Sequence, residues 1–397
     1  MSWLVLQVSG DARILGLVVA AQFAPMLLLG PWAGVLADRF DRRTILLFTQ
    51  VAMGSQALVL GVLTLTGHAT TVSIVIAAAA LGVITAVDGP ARQAIVSDLV
   101  PPNQVVNAVA LNSANFNAAR LIGPALAGLM IAAWGPGWVF LVNAGTFVIM
   151  FGALLRIQPH PTIGATRRGG LLEGLSYVRR RPDLWFVIGT VGVVALLVMN
   201  FQLTIALMAT GTFDAGPRTF GVLSSIMAVG SLAAALVQAR RGRTGLRQVA
   251  LAGAAAGAAI LFAGLMPDVI SFAVALTVCG AAVLTTMNSA NSYLQTHSDS
   301  EHRSRVMALY MAVVFGTTPL GAPVLGAIAQ EWGPRFALVL PGMLSVLLGL
   351  LLVALYRHAV SSTRSSERGE DEGGYQGRAD TSGMVGVGAA PAQSATQ

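Results

Sequence analysis

Eleven apolar runs, each about twenty residues long and nearly free of charge, dominate the sequence. A helix needs about twenty apolar residues to cross a hydrocarbon layer about 30 Å thick. Charged residues make up 10% of the chain, far below the roughly 25% of a soluble domain. We therefore predict an all-α integral membrane protein with spans at 13–37, 44–66, 71–90, 106–133, 138–157, 184–204, 218–239, 248–266, 269–290, 304–330 and 336–356.

The basic residues are all arginines, and their distribution predicts the orientation of the chain. If the loop at 38–43 is cytoplasmic, twenty of the 24 arginines lie on the cytoplasmic side, three lie on the other side, and Arg120 lies within a span. This bias follows the positive-inside rule. The formal net charge of +7 is then explained by topology, because no nucleic-acid motif accompanies it. We expect a multi-pass protein of the inner or plasma membrane whose partner is the lipid bilayer, not nucleic acid.

An internal repeat predicts two halves, since the triplet Trp134-Gly135-Pro136 recurs as Trp332-Gly333-Pro334 and other matches occur at nearly the same offset. Parallel repeats of this kind place a ligand site near the membrane midplane, between the halves. The segment from Trp3 to Val8 is apolar but too short to cross, and is interpreted as the stump of a further helix. We predict an N-terminal bundle with a truncated first helix, a cytoplasmic loop, a C-terminal bundle and a disordered cytoplasmic tail at 1–157, 158–183, 184–356 and 357–397.

A charged loop follows the first run and combines a spaced glycine and aspartate with arginines, at Gly34, Asp38, Arg39, Arg42 and Arg43. This loop resembles the signature between the second and third helices of the major facilitator superfamily, which usually has glycine where Asp41 stands. A carboxylate at a helix end accepts hydrogen bonds from an arginine or a facing helix N-terminus. We interpret the loop as a conformational latch centred on Asp38; a plain positive-inside loop is the alternative. Gln238 occupies the equivalent position of the second half.

The fourth run carries small residues around a proline, at Ala119, Gly123, Pro124, Ala127 and Gly128. The pattern resembles a fifth-helix motif associated with antiporters of the same superfamily, with alanine at two glycine positions. Small residues four apart permit close helix contact, and proline bends a helix. The resemblance favours export, while close packing without any antiport role is the alternative.

Polar residues within the runs are candidates for a substrate or proton site. An arginine at the depth of Arg120 must face protein or water, and Ser113 and Asn117 fall on the same helix face; a structural arginine is the alternative. Asp88 is a possible proton carrier or a structural helix-end group. The neutral candidates, each of which could instead be an interhelical hydrogen-bonding residue, are Asn200, Gln202 and Asn288.

Several stretches together resemble the enterobactin-exporter-like and macrolide-efflux-like branch of the superfamily: 30–43, 88–101, the Asn117-x-x-Arg120 face and Asn200-Phe201-Gln202. The resemblance implies two six-helix bundles, here with eleven full transmembrane helices and an N-terminal stump. It also implies a secondary active transporter, a proton-coupled exporter of drugs or siderophore-like small molecules that works by alternating access. An importer of the same fold and a non-transporting or defective paralogue remain the alternatives.

The same resemblance implies a monomer without cofactors whose partners are a small-molecule substrate and protons. The sequence shows no phosphate-binding loop, metal-ligand cluster or nucleophile arrangement. We therefore expect no catalytic or metal-binding residues and do not expect an enzyme.

Overall fold

The computed structural model describes residues 1–157, 171–240, 245–299 and 301–379. These residues are helical apart from short turns, which confirms the all-α prediction. The α-helices are α1 (Ser2–Ser9), α2 (Ala12–Arg39), α3 (Arg42–Leu65), α4 (Thr71–Asp98), α5 (Val105–Trp134), α6 (Pro136–Arg156), α7 (Leu171–Arg180), α8 (Pro182–Leu197), α9 (Phe201–Leu207), α10 (Pro217–Arg240), α11 (Leu246–Leu265), α12 (Val269–His297), α13 (Arg303–Gly316), α14 (Thr318–Trp332) and α15 (Phe336–Ala379).

Eleven helical stretches of the described chain are long and apolar enough to cross a membrane, as predicted. Two of them are not single helices. The stretch Pro182–Thr212 contains α8, α9 and a short π-helix, Met208–Thr212, and the stretch Arg305–Trp332 contains α13 and α14. Pro319 explains the second interruption, because a proline within a helix cannot donate the backbone hydrogen bond to the preceding turn.

The helices form two similar bundles. In the first, α2 packs on α4 and α3 packs on α4 and α6; in the second, α10 and α11 pack on α12. The bundles meet where α2 packs on α14 and α5 packs on α10. The sequence repeat relates α2 to α10 and α5 to the α13–α14 pair, so these two contacts are equivalent to each other.

The two ends of this body differ in charge. We call the end that carries Arg42, Arg92, Arg156 and Arg303 the arginine-rich end, and the end that carries the turns at Gly135 and Gly333 the opposite end. The helices that join the bundles each have one terminus at the opposite end: α2 begins there at Ala12, and α5 ends there at Trp134.

The N-terminal segment forms a helix of its own. In α1, Leu4 and Val5 are buried in an apolar cluster with Leu15 of α2 and Leu203 of α9. Gly10, at φ +62°, allows the sharp turn into α2. The segment predicted as a stump therefore takes part in the core of the protein.

The end of the predicted inter-bundle loop is also helical. Residues 158–170 lie outside the described part of the chain, whereas α7 is docked on the second bundle. Glu173 pairs with Arg305 at 2.9 Å, and the rings of Tyr177 and His302 stack with their centres 4.4 Å apart. Helix α7 is thus held against α13 and the turn before it.

The last helix differs from its prediction. Helix α15 continues beyond the apolar span to Ala379, where the sequence predicted a disordered tail from 357. Adding residues to an existing helix is far easier than nucleating one, and no proline follows to stop it before Ala379. The described residues from Val353 to Ala379 belong to a unit of their own, and residues 380–397 lie outside the described residues.

We predict that the arginine-rich end is cytoplasmic. Single cysteines replacing the exposed His68 and Gln104 in a Cys279→Ser background should be labelled by a membrane-impermeant maleimide from opposite faces of the membrane, His68→Cys from outside. Cys279 itself is fully buried, so it is shielded from the reagent in the folded protein, and its replacement by serine removes any remaining background labelling. Labelling of both positions from one face would contradict the topology.

Candidate functional site

Helices α5 and α10 touch through their backbones at the opposite end. A Cβ atom added to Gly128 would lie 2.6 Å from the oxygen of Pro217, and one added to Gly221 would lie 2.5 Å from the oxygen of Pro124. Any side chain at either glycine would force the helices apart. Gly128 and Pro124 of the predicted small-residue motif therefore form an inter-bundle crossing, whereas a Cβ added to Gly123 would meet nothing within 4 Å.

The other members of that motif take no comparable part in the crossing. Ala119 is exposed and Ala127 is partly buried. The packing alternative accounts for Gly128, and the antiport role of the motif stays a prediction.

A second crossing, between α2 and α14, is made in the same way. A Cβ added to Gly16 would lie 2.5 Å from the oxygen of Ala322, and one added to Gly326 would lie 2.5 Å from the oxygen of Ala12. Both crossings are within the outer turns of their helices at the opposite end. The two bundles are therefore closed against each other at that end.

Polar contacts reinforce the α2–α14 crossing. Arg13 Nη2 lies 2.8 Å from Glu331 Oε1, and the backbone N–H of Ala12 donates to Gln330 Oε1 at 2.9 Å. Among ion pairs whose residues the structure fully describes, this is the one that joins the bundles. Both side chains are 54% exposed, so the stabilisation is of the order of 1 kcal/mol or less. Glu331 was not among the predicted residues, because in the sequence it resembles any other charge at a helix end and its partner Arg13 is distant along the chain.

Arg120 lies on the face of α5 that turns toward the second bundle. At 100° per residue, Arg120 is about 40° from Pro124 around the helix. Positions 113 and 117 are each about 20° from Pro124. Arg120 is about 12 Å from Gly128 toward the arginine-rich end, and its side chain is exposed. No hydrogen bond or ion pair joins it to another described residue. Because a span does not keep an arginine against lipid, we expect this face to border the space between the bundles, on the arginine-rich side of the crossing.

Asp88 lies elsewhere and is already bonded. The residue is 4% exposed, and its carboxylate accepts hydrogen bonds from Thr49 Oγ1 at 2.7 Å, Gln50 Nε2 at 3.2 Å and Arg92 Nε at 2.7 Å. The structure therefore does not pair Asp88 with Arg120. The spacing of Asp88 and Arg92, one helical turn, was the sequence signal for this ion pair.

The charged loop is held within the first bundle. Arg42 Nη1 lies 2.6 Å from Asp98 Oδ2, a carboxylate that is 5% exposed, and Arg43 donates to the backbone oxygens of Leu154 and Leu155 at 2.9 and 2.7 Å. The latch residues Gly34, Asp38 and Arg39 lie in the last turns of α2, and their side chains are outside the described set. Asp98 was not predicted as a member of this group.

Asp41, which replaces the usual glycine of the signature, caps α3. Its Oδ2 accepts from Thr44 N at 2.8 Å and from Thr44 Oγ1 at 2.7 Å. The hydroxyl of Thr44 contributes most to holding the pKa of Asp41 below its usual range. The departure from the signature thus has a local structural role as an N-cap.

The neutral candidates are dispersed over the second bundle. Gln238 Nε2 donates to Thr285 O at 3.2 Å and to Ser289 Oγ at 2.9 Å, which joins α10 to α12. Asn200 is buried between α8 and α9, whereas Gln202 and Asn288 are exposed. No hydrogen bond joins Asn200, Gln202 and Asn288 to one another in the described structure, so the sequence grouping is not a single cluster.

A cavity of about 620 Å³ lies at the opposite end, near the α5–α10 crossing. It is bordered by α1, α5, α10 and the π-helix, with lining residues that include Trp3, Gln7, Ile131, Thr210 and Pro217. None of the predicted site residues lines this cavity. The cavity lies on the closed side of the two bundles and Arg120 is not among its lining residues.

Two equivalent bundles, joined by two equivalent helix crossings, define a transporter of the major facilitator type. The family model described as "transmembrane secretion effector" matches residues 1–387. The chain belongs to this family of multi-pass membrane transporters and is not an enzyme.

Several relatives found by sequence are named as efflux proteins or as a siderophore transporter. The chain is 26% identical to the staphyloferrin A transporter of Staphylococcus aureus, covering 84% of this chain and 85% of the relative. It is 27% identical to the multidrug efflux pump Tap of Mycobacterium tuberculosis, covering 89% and 88%. It is 22% identical to the macrolide efflux protein A of Streptococcus pyogenes, covering 86% and 87%.

Solved transporter structures share the fold. The nucleoside transporter NupG superposes with a TM-score of 0.71 at 13% identity, over 89% of this chain and 93% of that chain. A bacterial homologue of the human lysosomal transporter Spinster superposes with a TM-score of 0.63 at 17% identity, over 87% and 88%. At these identities the comparison establishes the fold alone.

We predict that Gly128→Val separates the bundles at the opposite end, because overpacking a backbone contact costs about 1–3 kcal/mol. Cysteines replacing Arg13 and Glu331 in the Cys279→Ser background should be cross-linked by a short bifunctional maleimide, and Gly128→Val should reduce the yield several-fold. Gly123→Val on the same helix is the matched control and should leave the yield unchanged. Equal yields from the two valine variants would contradict the crossing.

Proposed function

We propose that the protein exports amphipathic small molecules, drugs or siderophore-like metabolites, across the plasma membrane in exchange for protons. The observation that carries the proposal is the position of Arg120, exposed below the α5–α10 crossing on the face that turns toward the second bundle. A fixed cation between two bundles binds an anionic group of a substrate, such as a carboxylate. Relatives named as efflux pumps and as a siderophore transporter support the same substrate classes and the outward direction.

The closure of the opposite end supports an export cycle. Both glycine crossings and the Arg13–Glu331 pair lie there, whereas the described ion pairs at the arginine-rich end stay within one bundle, as Arg42–Asp98 does. If the arginine-rich end is cytoplasmic, this state is open to the cytoplasm and receives substrate from it. Release outside then requires the crossings to part and the arginine-rich end to close, which is alternating access.

Two acidic residues have separate parts in this proposal. Asp38, at the end of α2, holds the closed form of the arginine-rich end during the outward-open state. Asp88 carries the coupling proton, and its protonation weakens the pair with Arg92, which is 42% exposed and so is in reach of water. Ser113 and Asn117 extend the binding face of Arg120, and Gln202 and Asn288 present exposed amides from the second bundle.

The proposal predicts that Arg120→Ala and Arg120→Lys each reduce export about tenfold or more. Lysine fails because it lacks the planar five-donor fork of arginine. The measurement is flux in proteoliposomes against a panel of macrolides, other hydrophobic drugs and siderophores, with and without a pH gradient. Arg218→Ala, an exposed arginine at the opposite end, is the matched control and should transport normally.

Each contrary result has a defined meaning. Full flux in Arg120→Ala would make this residue structural and remove it from the binding site. Flux that is unaffected by the pH gradient would refute proton coupling, and substrate accumulation on the cytoplasmic side would favour import.

Variants of Asp38 and of its repeat-equivalent residue Gln238 distinguish a conformational latch from a packing role. Asp38→Asn should reduce flux several-fold while leaving abundance unchanged, since Asp38 is proposed to hold a conformation. Gln238→Ala should instead lower the melting temperature with milder loss of flux, because Gln238 joins α10 to α12. Wild-type flux in Asp38→Asn would end the latch interpretation.

A further inference from the structure

The sixth apolar stretch is interrupted near its middle, although no proline or glycine lies at the interruption. Helix α8 ends at Leu197 and α9 begins at Phe201, within Pro182–Thr212, and the residues between them and next to them include neither proline nor glycine. The chain instead makes hydrogen bonds from Met199 N to Val194 O and from Thr204 N to Asn200 O, both at 3.1 Å. The helical bonds that would join Phe201 N to Leu197 O and Gln202 N to Val198 O are missing from the described structure.

Unpaired backbone groups at this depth require another partner. In hydrocarbon each unsatisfied group costs several kcal/mol, so irregular backbone survives there only inside protein or beside water. The break is inside protein, since Val198 is 1% exposed and Asn200 is 3% exposed. The freed oxygens of Leu197 and Val198 project past the end of α8, which is the negative end of a sixteen-residue helix.

Asn200 adds a further oxygen without a partner. It stands at the N-cap of α9 but makes no capping bond; its Nδ2 donates back to Leu196 O at 3.0 Å. That bond fixes the orientation of the amide, and Oδ1 is left buried with no hydrogen-bond partner. Gly321 of α14 closes the space, because a Cβ there would lie 2.9 Å from Asn200 Nδ2 and closer still to Leu196 O.

We propose that this break is a binding site for a sodium ion, held by Asn200 Oδ1 and the freed backbone oxygens of Leu197 and Val198. All three ligands are hard, neutral oxygens at the negative end of a helix, a setting that favours a small monovalent cation. Divalent and transition metals call for carboxylates, histidines or cysteines, and the described residues contain no cluster of these side chains. The site is separate from Arg120 and Asp88, and it does not depend on the proposed export or proton coupling.

Thermal unfolding of the purified full-length protein in detergent tests the site. The melting temperature should rise with the concentration of NaCl and not with choline chloride of equal ionic strength, because a ligand that binds only the folded state stabilises it in proportion to ln(1 + [L]/Kd). Radioactive sodium should bind in a saturable way. Identical melting temperatures in the two salts and no saturable binding would overturn the proposal. Water would then be the hydrogen-bonding partner of these oxygens.

Three variants make the assignment specific. Asn200→Ala should abolish the sodium-dependent shift, and Asn200→Asp should enlarge it several-fold in affinity, because a carboxylate adds a full negative charge at the same position. Asn143→Ala removes an exposed amide from a span of the other bundle and should keep the wild-type shift. If Asn200→Ala does not fold, Asn200→Asp still decides: a smaller or unchanged sodium affinity would overturn the site.

These measurements use no substrate, so their outcome is distinguishable from that of the flux experiments. Sodium binding by a protein that fails to export would refute the export proposal alone. Normal export by a protein without sodium-dependent stabilisation would refute the sodium site alone.

Discussion

Backbone contact between glycines is the interaction on which the arrangement of the two bundles depends. Inside hydrocarbon, helices gain little from burying apolar side chains, because lipid tails are as apolar as leucine. Close approach of the backbones at Gly128 and Gly221, and at Gly16 and Gly326, offers van der Waals contact that lipid cannot match. Each contact involves only a few residues and lies at one end of the protein. The rest of α5, toward the arginine-rich end, is therefore free of this close packing. The exposure of Arg120 follows from this geometry.

The spans and the charge bias were predictable because they depend on local composition. Hydrocarbon thickness selects apolar runs of one length, and all eleven runs became spans. The interruption before Pro319 is also of this kind, because the cause is a single residue. The break at Asn200 is different: neither proline nor glycine lies between Val198 and Gln202, and the room for the irregular backbone comes from Gly321 of α14. Such tertiary causes leave no local signal.

The sequence indicated which residues could belong to the candidate site, but for most of them it did not indicate the residues they bond to. Arg120 was recognisable because an arginine deep in a span needs a polar environment, and its helix face followed from the periodicity. The partner of Asp88 was available from its spacing to Arg92, but Thr49 and Gln50 come from another helix. Glu331 and Asp98 resemble ordinary helix-end charges until the fold brings Arg13 and Arg42 to them. Pairings across distant segments are what the sequence alone could not supply.

The equivalence of the two crossings has a mechanical consequence. Because the α2–α14 and α5–α10 contacts lie at the same end of the protein, a rotation of one bundle that closes the arginine-rich end parts both contacts together. The glycine positions in these contacts are restricted by shape alone, since any side chain there would hold the two helices apart. Positions on the exposed part of α5 carry no such restriction. Substitutions on that part of α5 can therefore accumulate without loosening the two crossings.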